Sequence, residues 1–254
     1  MRELRRFRAS LVRVLGILLI ALACGWLVVY VISIHQRRKA ERYLSDLRSF
    51  PFASAGFLEV RDLAVRHGGS GVQDIPPRFP PACTVQRCTF QVRMKHPLAL
   101  LPLEGRSAEL FYSVLPYLGI RPWVVYSDFE VNGDRLESSF TQIAQLRRGR
   151  SHDCEGLLPL EYNVRTERHP EMNVGSAGYL VGPPDAIEGP PMQVWDAWVP
   201  QLPTAPMSRV FDLNLGCLTA VWHGCTGYRE LAPSVWADHE AEMAKFREEE
   251  NRHK

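Results

Sequence analysis

The chain has 254 residues, 46% of them hydrophobic, and its 30 basic and 28 acidic side chains leave a net charge of +2. An apolar share of that size is ample for a folded core. The near-neutral balance lacks the concentrated positive charge of a nucleic-acid-binding domain, so no nucleic-acid partner is expected.

Residues 1–13 form a basic tail carrying Arg2, Arg5, Arg6, Arg8 and Arg13. Val14 to Ile34 then runs for 21 residues without a charged side chain. In hydrocarbon every backbone N–H and C=O must be paired internally, which a single helix achieves. At about 1.5 Å per residue the run reaches roughly 30 Å, the thickness of a bilayer core. The sequence therefore predicts a transmembrane helix over 14–34, with the lipid bilayer as its partner. A cleaved signal peptide would have an apolar region of only about 7–15 residues and a small-residue cleavage site. This run is longer and ends in Ile32-Ser33-Ile34-His35-Gln36. Ala21-Leu22-Ala23-Cys24 resembles a lipoprotein acylation site, but Gly25-Trp26-Leu27-Val28-Val29-Tyr30 keeps the chain apolar past the cysteine. A buried core helix fits poorly between two arginine clusters.

Residues 35–50 read as a juxtamembrane helix with Tyr43, Leu44 and Leu47 on one side, stopped by Pro51. An α+β domain is expected over 51–232. A helix over 55–67 has Ser54 as its cap, Phe57, Val60 and Ala64 on one face and Gly68-Gly69 as its stop. Ile75 to Pro81 is a proline-rich extended linker. Cys88 to Lys95 alternates apolar and polar, the period of a strand with one buried face. A short helix is expected over 107–115. Strands over 123–131 and 135–144 flank Asn132-Gly133-Asp134, a hairpin turn signal. Further alternation marks strands over 158–165 and 211–217. Residues 233–254 form a C-terminal helix, with Trp236, Met243 and Phe246 as a buried stripe. The fold class is thus a transmembrane helix followed by one domain with a mainly antiparallel sheet and flanking helices.

The proline-rich stretch 183–206 holds Trp195 and Trp198. It reads either as a partner-binding arm anchored by two indoles or as a segment whose indoles fold back over a sheet edge.

The flanks of the apolar run, with Arg37, Arg38, Lys39, Arg42 and Arg48 on the far side, nearly tie in positive charge. The positive-inside rule therefore does not fix the orientation. Cysteines break the tie. Zinc needs tight ligand pairs with a matching second pair; the chain has no Cys-x-x-Cys. Disulfides Cys83–Cys88 and Cys217–Cys225 fit the spacing better and leave Cys154 free. The rivals are a long-range bridge from Cys154 to Cys217 or Cys225, and five reduced, buried thiols. Disulfides persist in oxidising compartments, which favours a cytoplasmic N-terminus, an inner-membrane anchor and a domain on the periplasmic or extracellular side.

No phosphate-binding loop, Gly-x-Ser-x-Gly elbow, His-Glu-x-x-His or EF-hand loop occurs. Ser151-His152-Asp153-Cys154-Glu155 and Trp222-His223-Gly224-Cys225 put histidine near cysteine, but neighbours in sequence do not usually face each other. No cofactor, metal or catalytic residue is assigned.

The segments Arg37-Arg38-Lys39-Ala40-Glu41-Arg42-Tyr43-Leu44, His67-Gly68-Gly69, Cys83…Cys88, Leu215-Gly216-Cys217-Leu218, Gly224-Cys225 and Glu230-Leu231-Ala232-Pro233-Ser234-Val235-Trp236 carry a resemblance. The layout resembles uncharacterised single-pass bacterial membrane proteins with an exported cysteine-containing domain. It covers most of the chain and implies architecture only. Three functions are carried forward: a membrane-anchored exported module that binds a partner or supports an envelope structure, an exported enzyme with a site assembled from some of His96, Asp128, His152, Glu155, His169 and His223, and a cytoplasm-facing membrane tether.

Overall fold

One helix, α1 (Arg2–Ser49), runs without a break through the apolar stretch and into the domain. It belongs to a computed structural model that describes residues 2–72, 83, 87–100, 105–150, 155–167, 178–182, 193–221 and 223–252. From Leu11 to Leu22 its large apolar side chains point outward, Leu22 being 70% exposed, and Leu27, Val28, Val31 and Ile32 do the same, whereas Trp26, Val29 and Tyr30 are half-buried against the domain. This part is long and apolar enough to cross a membrane. Farther along, one face turns to the domain at helical spacing. Trp26 bonds the Leu118 carbonyl, Ser33 accepts from Trp123, and Arg37 donates to Thr219. Ala40, Tyr43, Leu44 and Leu47 are buried in the core. The segment expected as a juxtamembrane extension is therefore also the central helix of the domain.

Helix α2 (Phe57–Arg66) follows the expected 55–67 closely, but Ser54 is not its cap. Its N-cap is Gly56, whose N–H donates to Glu59. The next free donor, Phe57 N–H, is taken by the Asp134 carboxylate from a distant turn. Asp46 of α1 accepts from His67 and Arg66 at the other end, and these partners hold its carboxyl below the usual range.

The strands are β1 (Ser70–Val72), β2 (Arg87–Lys95), β3 (Trp123–Asn132), β4 (Arg135–Arg150), β5 (Glu155–Glu167), β6 (Leu180–Gly182) and β7 (Gln193–Pro200). Among the described residues they form one seven-stranded sheet in the order β1-β2-β3-β4-β5-β7-β6. Every neighbouring pair is antiparallel except β5–β7, which is parallel. The β3–β4 loop is Gly133-Asp134, both with positive φ, one position later than Asn-Gly suggested. Asn132 remains paired with Arg135 in the ladder. β4 and β5 outrun β3: pairing continues past Gln145↔Leu160 to Arg150↔Glu155.

The inward face carries Phe90, Val92, Met94, Trp123, Val125, Phe129, Ile143, Leu160, Tyr162 and Val164, all buried in the core. Its polar members are paired: Ser127 with Thr141 at 2.9 Å, and Ser139 with Thr166 at 2.8 Å. Helix α3 (Gly105–Val114) and the 3-10 turn Leu115–Leu118 precede β3.

The expected strand over 211–217 is not one. Helix α4 (Met207–Val210) leads into it, and a 3-10 turn, Leu215–Thr219, closes it. Phe211, Leu213, Leu215 and Cys217 are indeed buried at every second position. Here the alternation comes from a chain lying flat beneath α1. Asn214 folds its side chain onto Gly216 N–H, while its own N–H goes to the Leu231 carbonyl. Arg48 of α1 holds the Phe211 carbonyl at 2.9 Å.

After α5 (Tyr228–Leu231), helix α6 (Pro233–Arg252) meets the C-terminal expectation, except for its stripe. Val235 is buried and Trp236 packs on the core, but Met243 and Phe246 are exposed, because the helix leaves the domain before reaching them. Asp238 fastens its first half, accepting from Tyr179 at 2.6 Å and Arg209 at 2.9 Å. The 75–81 linker lies outside the described residues.

Leu47→Ala should destabilise the domain by about 2–5 kcal/mol, as for other fully buried leucines. Leu22→Ala should leave domain unfolding unchanged. Denaturant unfolding of the full chain in detergent, followed by near-UV circular dichroism, separates the two.

Candidate functional surface

Trp195 and Trp198 sit in β7, not in a proline-rich arm. Three positions apart in a strand, they point to opposite faces. Trp195 lies across from Tyr162 on the core side. Its ring stacks on Tyr228 at 4.7 Å and on Trp236 at 5.1 Å, with His239 edge-on at 4.9 Å. It pins α5 and α6 to the sheet. Trp198 lies across from Arg165 on the outer face and is half-buried.

That outer face carries an array of polar and aromatic groups set by strand register. The Arg93 guanidinium lies 4.8 Å over the Tyr126 ring and also donates to Gln91. Gln91 donates to the Tyr126 hydroxyl at 3.0 Å, and that hydroxyl donates to Asp128. Burial, then the Asp128 carboxylate, raises the Tyr126 pKa. One strand further, Arg165 lies 5.2 Å over the Phe140 ring. Gln142 donates to Glu161 at 3.1 Å. Burial raises the Glu161 pKa, and the charge of Asp196 adds to the effect. Asn163 and Asp196, paired across β5 and β7, are buried, and Oδ1 of each has no hydrogen-bond partner.

Among the described residues, His96, Asp128 and His223 of the candidate catalytic set lie apart from one another. His96 follows β2; its N–H donates to the Trp123 carbonyl and its Nδ1 accepts from Leu98 N–H. It is 4% exposed and lines a small cavity with Trp26, Tyr30, Ser33 and Ile120. Burial pushes its pKa down to about 4. Asp128 lies on the outer face, five residues along β3 from Trp123, or roughly 16 Å. His223 is exposed on another loop. His152, His169 and the Glu155 side chain lie outside the described residues. No group of three His, Cys, Asp or Glu side chains among the described residues is placed to hold a metal.

Cys83 and Cys88 have Cα atoms 4.6 Å apart, and Cys217 and Cys225 are 4.7 Å apart, both joined as disulfides and within the usual span of a bridge. Gly71 lies so close to the first pair that a Cβ there would sit 2.8 Å from Cys83 Sγ. Buried Gln145 braces the second, donating to the Leu218 carbonyl and accepting from Cys225 N–H. Cys24 is free and exposed on α1; Cys154 lies outside the described residues. Nothing in the sequence marked Gln145 or the Asp134 cap, because both act on residues far away in the chain.

No protein-family model, no curated protein and no solved structure matches the chain.

Two outcomes are expected. His96 is neutral when folded down to pH about 4, whereas in the unfolded chain it protonates near 6.5. Between those values the unfolded state binds the extra proton, so stability is full above pH 6.5 and falls toward pH 4, by up to about 3 kcal/mol. His96→Gln should remove that part of the pH dependence in unfolding titrations; superimposed profiles would contradict it. Non-reducing peptide mapping should recover Cys83–Cys88 and Cys217–Cys225 as the bridges. Each short loop should be worth about 2–3 kcal/mol on the loop-entropy model.

Proposed function

We propose that the chain is a membrane-anchored, exported module that holds a partner-binding surface of the cell envelope at a fixed height and orientation over the bilayer. The basic tail stays in the cytoplasm, α1 crosses the inner membrane once, and the sheet domain lies on the periplasmic or extracellular side. The observation that carries this reading is the continuity of α1. The helix that exposes the large apolar side chains from Leu11 to Leu22 also places Ala40, Tyr43, Leu44 and Leu47 in the domain core. A flexible tether would only localise a domain, whereas a strut also orients it. The two disulfides suit an oxidising compartment.

The partner surface is the outer face of the sheet. Trp198 borders Arg165, which lies on Phe140, and Arg93 lies on Tyr126 two strands away. Tryptophan, tyrosine and arginine supply most interface hot spots.

A reporter active only after export, fused behind Lys254, should give signal, and a cytoplasm-active reporter should not; the reverse pattern would refute the topology. A photoreactive amino acid at Ser138 in intact cells should give a discrete protein adduct, and the same probe at Leu58 should give none. Trp198→Ala should weaken the adduct about tenfold, which corresponds to about 1.4 kcal/mol. No adduct at Ser138 would refute the partner surface.

A further inference from the structure

We infer that the end of the domain from which α1 emerges is itself inserted into the bilayer surface, through one face of α3 and the 3-10 turn after it, so that the protein touches lipid at a second site. The inference rests on reading α1 as a membrane span.

Depth is the first argument. The Trp26 indole N–H donates to the Leu118 carbonyl at 3.1 Å, which fixes that turn level with Trp26. A bilayer core needs about 20 helical residues. Counted from Val14, they end at Ser33, which leaves Leu118 roughly 10 Å below the core boundary at 1.5 Å per residue. Starting instead at Leu11, with Arg13 extending its side chain back to the headgroups, ends the span at Tyr30 and still leaves Leu118 about 6 Å inside. Ending it at Trp26 leaves only Val14–Trp26, about 20 Å of helix and too short to cross. The two counts that cross place the turn about 6–10 Å down, the depth at which interfacial amphipathic helices lie.

Surface chemistry is the second. Leu110 is 71% exposed, Val114 45%, Tyr117 60% and Leu118 50%. Leu110 and Val114, four apart, share one face of α3, and Tyr117 and Leu118 add apolar surface in the 3-10 turn that continues from it. Leu115, which begins that turn, is buried in the domain. Tyr117 suits the headgroup level, where aromatic side chains with a polar end are enriched. Pairing is the third argument. The polar groups of Trp26 and Ser33 within the apolar run are both bonded to the domain, with Trp123 donating to Ser33 Oγ at 3.2 Å. The domain rim satisfies, at membrane depth, groups that hydrocarbon would leave unpaired.

A photoactivatable diazirine amino acid, placed singly at Leu22, Leu110, Tyr117 or Leu58 of the full chain in phosphatidylcholine–phosphatidylglycerol vesicles, tests this. Leu58 is exposed at the opposite end, where the Asp134 turn meets α2. Intact-mass analysis after illumination should show phospholipid adducts at Leu22, Leu110 and Tyr117 and none at Leu58. Adducts at Leu22 without adducts at Leu110 or Tyr117 would overturn the inserted rim while leaving the anchor standing. No adduct at Leu22 would overturn the membrane-spanning reading and the rim with it. Equal labelling at Leu58 would mean that lipid contact is nonspecific, and would also overturn the rim.

Discussion

The architecture depends on α1 having no break. Its two halves meet opposite solvent demands. Around Leu15, Leu18 and Leu22 the helix is apolar on every side and exposed, which suits hydrocarbon. Around Tyr43 and Leu47 it is buried on one side and polar on the other, with Arg38 and Arg42 outward, which suits a domain in water. Gly25 lies within the continuous helix, and from Trp26 to Ser49 no glycine, proline or loop interrupts it. An α-helix with all its i to i−4 bonds intact does not hinge, since sharp kinks arise at Pro, at Gly/Ser pairs or at bulges. Motion of the domain against the anchor is therefore restricted to slight bending.

The sheet is arranged around this strut. Segments far apart in sequence are bonded to it: Arg37 to Thr219, Arg48 to Phe211 and Asp212, Asp46 to His67. The segment over 207–219 is irregular because it fills the space beside α1 instead of adding a strand. The Cys217–Cys225 loop and Gln145 lie at the end where α1 leaves, and there they fix the rim near Leu118 and Ile120. At the other end, Asp134 joins the β3–β4 turn to α2. Both ends are thus closed by side chains that cap the backbone of a distant element.

Much of this was legible in the sequence, and the reasons are local. The uncharged run Val14–Ile34 is a composition signal that does not depend on tertiary context. Cys88 to Lys95 and the strands beside Gly133-Asp134 carry a period-two pattern that an antiparallel sheet with one covered face imposes. The same pattern misled at Phe211 to Cys217, since an extended chain lying under a helix also buries alternate residues. Trp195 was hidden by the prolines around it and by its pairing, a parallel register with β5 that no turn signal announces. Met243 and Phe246 share spacing with a buried stripe, but whether a helix end reaches the core depends on where the domain stops. The outer face was illegible because Arg93 with Tyr126 and Arg165 with Phe140 meet only through strand register.

Hydrogen exchange of the full chain in lipid vesicles, read at peptides spanning Ile34 to Lys39, tests the unbroken helix most directly. An unbroken α1 gives protection there that is continuous with the buried stretch from Ala40 to Leu47. Rapid exchange confined to Ile34–Lys39, with protection on both sides, would reveal a hinge and contradict it.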